Sequence, residues 1–185
     1  YFVILGQEHR ADLDGDVIRN EFPPLSRQCP PDAGGELQEF EQLNQAHSVL
    51  SEPASRLRHL YELEFGQFPS ATGEFSPRAM ELFAVVGEAL DGATAYIRGK
   101  AGATTAIARA LIARDEVGVQ RRVIDCCGQV RLRREELLSG LVEIDRVLGC
   151  DRTAARELIE ATCRELSFLA KWERQLNESM AALIQ

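Results

Sequence analysis

Composition and periodicity place this chain among the all-α proteins. Ala, Leu, Glu and Arg abound while aromatic residues make up only 6%, a bias toward helix over sheet. Apolar residues recur at steps of three and four almost throughout, and nothing alternates with the period of a strand. A third observation divides the chain. Residues 66–77 (Gly-Gln-Phe-Pro-Ser-Ala-Thr-Gly-Glu-Phe-Ser-Pro) are rich in helix breakers and read as a linker. On that division 1–65 forms an N-terminal helical hairpin and 78–185 a C-terminal antiparallel helical bundle.

Tyr1 to Gly6 reads as the end of a short helix closed by its glycine. Asp12 or Asp14 is placed to cap the next helix, in which Ile18, Phe22 and Leu25 recur at i, i+4 and i+7. Pro23 and Pro24 lack the N–H a helix interior needs, at a cost of about 3 kcal/mol each, so the helix is expected to break near Phe22. The stretch from Phe22 to Asp32 then becomes the loop joining two antiparallel helices, with Gly34-Gly35 at its end. Glu36 to Ser51 forms the second arm and Glu52-Pro53 stops it, because a residue before proline avoids the helical region. Ala54 to Phe65 follows as a short helix with Leu57, Leu60 and Tyr61 facing the core, ended by Gly66.

Beyond Pro77 the pattern is helical to the end, interrupted by two glycines between Arg98 and Gly102. Met80, Phe83, Gly87, Leu90, Thr94 and Ile97 make one face before that interruption, and Ile107 and Leu111 resume after it. The next helix carries a seam through Val123, Cys127, Val130, Arg134, Leu137, Leu141, Ile144 and Leu148. A second amphipathic helix follows directly, so the seam reads as the buried stripe of a bundle rather than a dimer zipper. Gly149 stops it, Asp151 caps the last helix, and Leu158, Leu166, Leu169, Leu176, Met180 and Leu183 form that helix's buried face.

Charge and cysteine usage exclude several functions. The formal charge is −8 with no dense Lys/Arg run, which argues against nucleic acid and anionic membranes as partners. No apolar run approaches the roughly 20 residues that span a bilayer, and no signal-peptide pattern precedes the first periodic stretch, so a cytoplasmic protein is expected. The five cysteines form no C-x-x-C pair and the three histidines are far apart, so neither metal nor cofactor is indicated. Cys127 reads as a small core residue, and Cys29, in the loop, is the one cysteine placed to react, although it reads better as an ordinary residue in an apolar one's place. No phosphate loop, H-E-x-x-H or nucleophile set occurs, and Glu135-Glu136 reads as a solvated face, so an enzyme is not expected.

Tyr1-Phe2-x-x-Leu5-Gly6 and Leu43-Asn44-Gln45-Ala46-x-x-Val49-Leu50-Ser51-x-Pro53-x-x-Arg56 resemble a J-domain. The His-Pro-Asp triplet of that family falls on Pro30, Pro31 and Asp32, so its proline and aspartate remain and its histidine is replaced. Arg164-x-Leu166-x-Phe168-Leu169-x-Lys171 in the last helix resembles the HscB type of J-protein, which serves iron–sulfur cluster assembly. The resemblance implies a J-domain that docks on a DnaK-type chaperone through Arg19, Arg27, Pro30, Pro31 and Asp32. It also implies that Met80, Ala84, Glu88 and Phe168 receive a client, in that family the cluster scaffold protein, although Met80 and Phe168 could equally be bundle core. Two departures stand out. Between Asp12 and Asp32 five acids face only Arg19 and Arg27, where chaperone-engaging J-domains present a basic face, and the segment from Gly92 to Asp151 is longer than the family's. The resemblance thus implies a co-chaperone delivering a client, while the departures favour a helical interaction scaffold that no longer stimulates the chaperone's ATPase.

Overall fold

Helix is the only regular structure among the described residues of the computed structural model, which are 1–28, 37–70 and 75–184. A 3-10 helix over Val3–Leu5 precedes seven α-helices: α1 (Gly15–Gln28), α2 (Leu37–Ser51), α3 (Pro53–Phe65), α4 (Pro77–Gly102), α5 (Ala106–Ser139), α6 (Leu141–Leu148) and α7 (Arg152–Ile184). Among the described residues no helix is long and apolar enough to cross a membrane. The all-α expectation holds.

The chain divides into two compact units that do not run consecutively. The first takes residues 1–73 and 137–166, and the second takes 74–136 and 167–185. The breakers at 66–77 separate α3 from α4, but the residues around α6 and the first half of α7 return to the first unit. In that unit, Gly6 closes the 3-10 turn at a φ of 63°, a left-handed conformation that favours glycine. Asp14 caps α1, its Oδ1 accepting from the Asp16 N–H at 2.8 Å. The expected break at Phe22 does not occur: α1 runs on through Pro23 and Pro24. Both prolines are exposed, so the carbonyls they leave unbonded can be hydrated, while Ile18, Phe22 and Leu25 keep the inward face continuous. Glu52 caps α3 by accepting from Ser55 N–H at 2.8 Å, and Pro53 sits in the first turn, where its missing N–H costs nothing.

The core of the first unit joins Phe2, Leu5, Ile18, Leu50, Leu57 and Tyr61 to Leu141, Ile144, Ile159 and Leu166. Two polar nodes fix its loops. Arg56 is 3% exposed and donates to the carbonyls of Ala11 (2.9 Å) and Leu50 (2.8 Å). From α6, Asp145 accepts from the N–H groups of Ala11 (2.6 Å) and Asp12 (3.0 Å). Ala11 is thereby pinned through both its N–H and its carbonyl. Tyr61, fully buried, donates to Glu160 at 2.6 Å and accepts from Arg156 at 2.9 Å, tying α3 to α7.

In the second unit, α4 and α5 are antiparallel: Gly99 lies beside Ile112, and Arg78, at the other end of α4, bonds Glu136 at 2.6 Å. Ser76 caps α4 and Thr105 caps α5, each hydroxyl accepting a backbone N–H at 3.1 Å. The buried stripe of α4 is Ala79, Leu82, Val86, Ala89, Ala93 and Tyr96, one residue out of register with the expected face. The helix offers two apolar stripes about 100° apart, and the interior takes the one rich in alanine, which lets the helices approach. Two further expectations are corrected. The seam is not one helix, because α5 ends at Ser139 and α6 begins at Leu141 after Gly140, and at its upper end Cys126, not Cys127, is the fully buried thiol. On α7, Leu166, Leu169, Leu176 and Leu183 are buried as expected, whereas Leu158 and Met180 are half-buried. Asp151 caps the helix, accepting from Thr153 and Ala154 at 3.0 Å.

Candidate functional site

The register of α4 decides what the second unit presents to solvent. With Ala79 and Leu82 turned inward, Met80 and Phe83 are left 54% and 56% exposed. Two such residues one turn apart form a row, and α7 meets it with Phe168, half-buried, and Trp172, 6% exposed. Phe75, just before α4, stands edge-to-face on Phe168 with centroids 4.7 Å apart. Phe83 lies 5.9 Å from Trp172, and Phe168 lies 6.0 Å from the same indole. These contacts frame an open cleft of about 260 Å³ walled by Phe75, Ala79, Met80, Phe83, Phe168 and Trp172, an entirely apolar set. Rings in offset and edge-to-face contact hold one another in place, so the cleft is formed before anything enters it.

Of the four residues the family resemblance assigns to a client, Met80 and Phe168 line this cleft. Ala84 and Glu88 continue the exposed row of Met80 at i+4 and i+8 without lining it. Phe75, Phe83 and Trp172, which the resemblance does not assign to a client, complete the cleft. Phe83 was expected in the buried face, and the spacing of Trp172, four residues after Phe168 on one helix, was the available signal.

The hairpin offers a different surface. Arg19 is exposed on α1 and bonds Asp16 at 2.9 Å, so its charge is partly matched within its own helix. Asp12, Asp14 and Asp16 are exposed on either side of the cap. Cys29, Pro30, Pro31 and Asp32 lie outside the described residues, as does the side chain of Arg27. Asn44 and Gln45 are exposed on α2, and Asn44 Nδ2 donates to the Phe40 carbonyl one turn back at 2.8 Å.

Elsewhere the polar groups serve packing. Glu136 accepts from Arg78 at 2.6 Å and from Arg133 at 3.1 Å, an ion-pair arrangement between helices. Burial pushes the Cys126 thiol from its ordinary 9.0 up to about 11, which suppresses the thiolate. The buried Cys163 thiol donates to the Ala54 carbonyl at 3.2 Å. Among the described residues no group of three or more His, Cys, Asp or Glu side chains is placed to hold a metal ion.

Compared with solved structures, the chain is similar to the chaperone HscB from Vibrio cholerae over 99% of its own length and 98% of that chain, with a TM-score of 0.62 at 21% identity. The chain has the HscB fold. That likeness embraces both the hairpin of α1 and α2 and the helices that build the aromatic cleft, since almost nothing of either chain lies outside it. No protein-family model and no curated protein matches the sequence.

Proposed function

We propose that this protein is a co-chaperone-type adaptor: the hairpin docks on a DnaK-type chaperone and the bundle holds a client protein, with an iron–sulfur scaffold as the first candidate. The reading rests on the exposed apolar cleft at Met80, Phe83, Phe168 and Trp172 in a chain with the HscB fold. An apolar cleft of this size takes one or two large side chains of a partner, and Glu81 and Glu88, exposed on the same helix, favour a client with basic residues flanking its apolar anchor. On the chaperone side, Asp32 and Pro31 are kept from the J-domain triplet, and Arg19 and Arg27 are the cations available beside them.

One observation favours a second reading, in which the hairpin is a scaffold that does not stimulate ATP hydrolysis. Pro30 stands where the family has histidine, and Arg19 is already engaged by Asp16 on a helix whose first turns are acidic. Single-turnover ATP hydrolysis by the host's DnaK-type chaperones separates the two. Stimulation by the natural protein that Asp32→Asn abolishes supports the adaptor. A rate unchanged by the natural protein and raised by Pro30→His supports the scaffold. Binding of a purified iron–sulfur scaffold protein, measured by calorimetry with Met80→Ser/Phe83→Ser as the comparison, tests the client half. Affinity unaltered by the double variant would remove the cleft from the reading.

A further inference from the structure

The far end of the α4–α5 pair carries a second surface, unrelated to the cleft. Between Tyr96 and Val119 no residue is buried, although both helices continue through this stretch. Helices without a core of their own gain little from packing, and here two turns of α4 and more than three of α5 are built that way. Ile107 and Leu111, one turn apart on α5, are 75% and 62% exposed. The same stripe continues at Arg114 and Gly118, where it meets a groove of about 420 Å³ lined by Gly92, Gly99 and Gly118 and by two cations, Arg114 and Arg122, against one acid, Asp115. Packing within the chain does not call for glycine here. A Cβ at Gly92 would meet nothing within 4 Å, and one at Gly118 would meet only the tip of Arg122 at 3.9 Å. Each interior glycine costs a helix about 1 kcal/mol against alanine, and what it supplies in return is a floor that another backbone can approach closely.

The charge of this tip is opposite to that of the molecule. From Gly92 to Arg114 there are four cations, Arg98, Lys100, Arg109 and Arg114, and no acid; Asp115 and Glu116 follow directly, so residues 97–118 together carry +2 against an overall −8. All four are exposed, and among the described residues none of them forms an ion pair, whereas Arg19, Arg78, Arg131, Arg146, Arg152 and Arg156 all do. Lys100 in the last turn of α4 also complements the helix dipole, which accounts for one of the four. The first turn of α5 has no acidic residue, so its positive dipole end adds to the field.

From this juxtaposition of unpaired cations, exposed Ile107 and Leu111, and a glycine-floored groove, we infer that the α4–α5 tip is a docking surface for an acidic amphipathic helix of a protein partner. The cations select the charge, Ile107 and Leu111 receive the partner's apolar face, and the glycines admit its backbone. A lipid surface fits less well, because the feature is a groove and the molecule as a whole is strongly anionic. The surface lies roughly 28 Å from the cleft, counting about 1.5 Å per residue from Met80 to Gly99 along α4. Partner and client can therefore be held together, and the inference does not depend on the co-chaperone reading.

The test uses the full chain and a fluorescein-labelled helical peptide with Glu on one face and Leu on the other, followed by anisotropy. The acidic peptide should bind while its Lys counterpart does not. Arg109→Glu/Arg114→Glu should weaken binding at least about tenfold, Ile107→Ser/Leu111→Ser about fivefold, and salt should weaken it steeply. Arg98→Ala/Lys100→Ala, confined to α4, provides a second reading should an α5 variant lose helicity by circular dichroism. No binding of the acidic peptide, equal binding of the Lys peptide, or affinity indifferent to all three variants would overturn the proposal. So would binding to phosphatidylglycerol vesicles in place of the peptide, or a dimer in sedimentation that the same substitutions dissolve.

Discussion

Arg56 ties two distant backbone segments of the first unit together. Its guanidinium crosses 45 residues to the Ala11 carbonyl and also closes the end of α2 at Leu50. Burial lowers its pKa below the ordinary arginine range, an effect opposed by the nearby charges of Asp12, Glu52 and Asp145, and a guanidinium stays charged in any ordinary buffer. Arg56→Ala leaves two carbonyls unbonded in the interior and should lower stability by roughly 3 kcal/mol in urea unfolding, and Arg56→Lys by roughly half that. A loss within experimental error would mean that water takes over both bonds. Cys126 gives a prediction of the other kind. The folded state holds its thiol proton to about pH 11 while the unfolded chain releases it near 9.0, so stability declines as pH rises between those values. Cys126→Ala should flatten that part of the profile, and at pH 8 the exposed Cys150 should be alkylated long before Cys126. The sequence placed Arg56 at the end of a recognisable motif, but the partner it finds 45 residues away was not readable there.

At the scale of the helix, caps and stops were legible because their chemistry is local. Gly6, Asp14, Glu52-Pro53, Gly66 and Asp151 act on neighbours within four residues, and each does what its residue type implies. The facing of α4 was not legible, because two apolar stripes compete and only the partner helices choose between them. That choice also makes the cleft, since the rejected stripe supplies Met80 and Phe83. Leu82→Ala and Val86→Ala should each cost about 1–4 kcal/mol of stability, whereas Met80→Ser and Phe83→Ser should stay within about 1 kcal/mol of the parent. Thermal and urea unfolding of the four variants settle the register; the opposite ranking would restore the expected face. Of the candidate cleft, Met80 and Phe168 could be named from a resemblance. The contacts of Phe75 with Phe168 and of Phe83 with Trp172 bridge about ninety positions of sequence and needed the fold.

At the scale of the molecule, two long helices each serve both compact units. α5 passes from the second unit into the first near Leu137, and α7 passes back near Ser167. The hairpin shares its core with later parts of the chain: Leu141, Ile144, Ile159, Cys163 and Leu166 belong to the same core as Phe2, Leu50 and Tyr61. A fragment of residues 1–73 should lose the cooperative urea transition of the full chain, or retain it at a midpoint lower by several kcal/mol of stability. A fragment as stable as the same residues in the full chain would show that α6 and α7 merely rest on the hairpin.

Local chemistry determined the all-α class, most helix ends and the likeness to the HscB fold, because propensity, capping and short motifs act over distances the chain spans within a turn or two. Tertiary packing decided the rest: that α1 continues through two prolines, that α4 turns its alanines inward, that α5 ends at Ser139, and that residues 137–166 join the N-terminal core. Each of those outcomes balances a local preference against apolar surface supplied by residues far away in sequence. Burial of that surface is proportional to area and indifferent to sequence order, so it becomes visible only when the chain is folded.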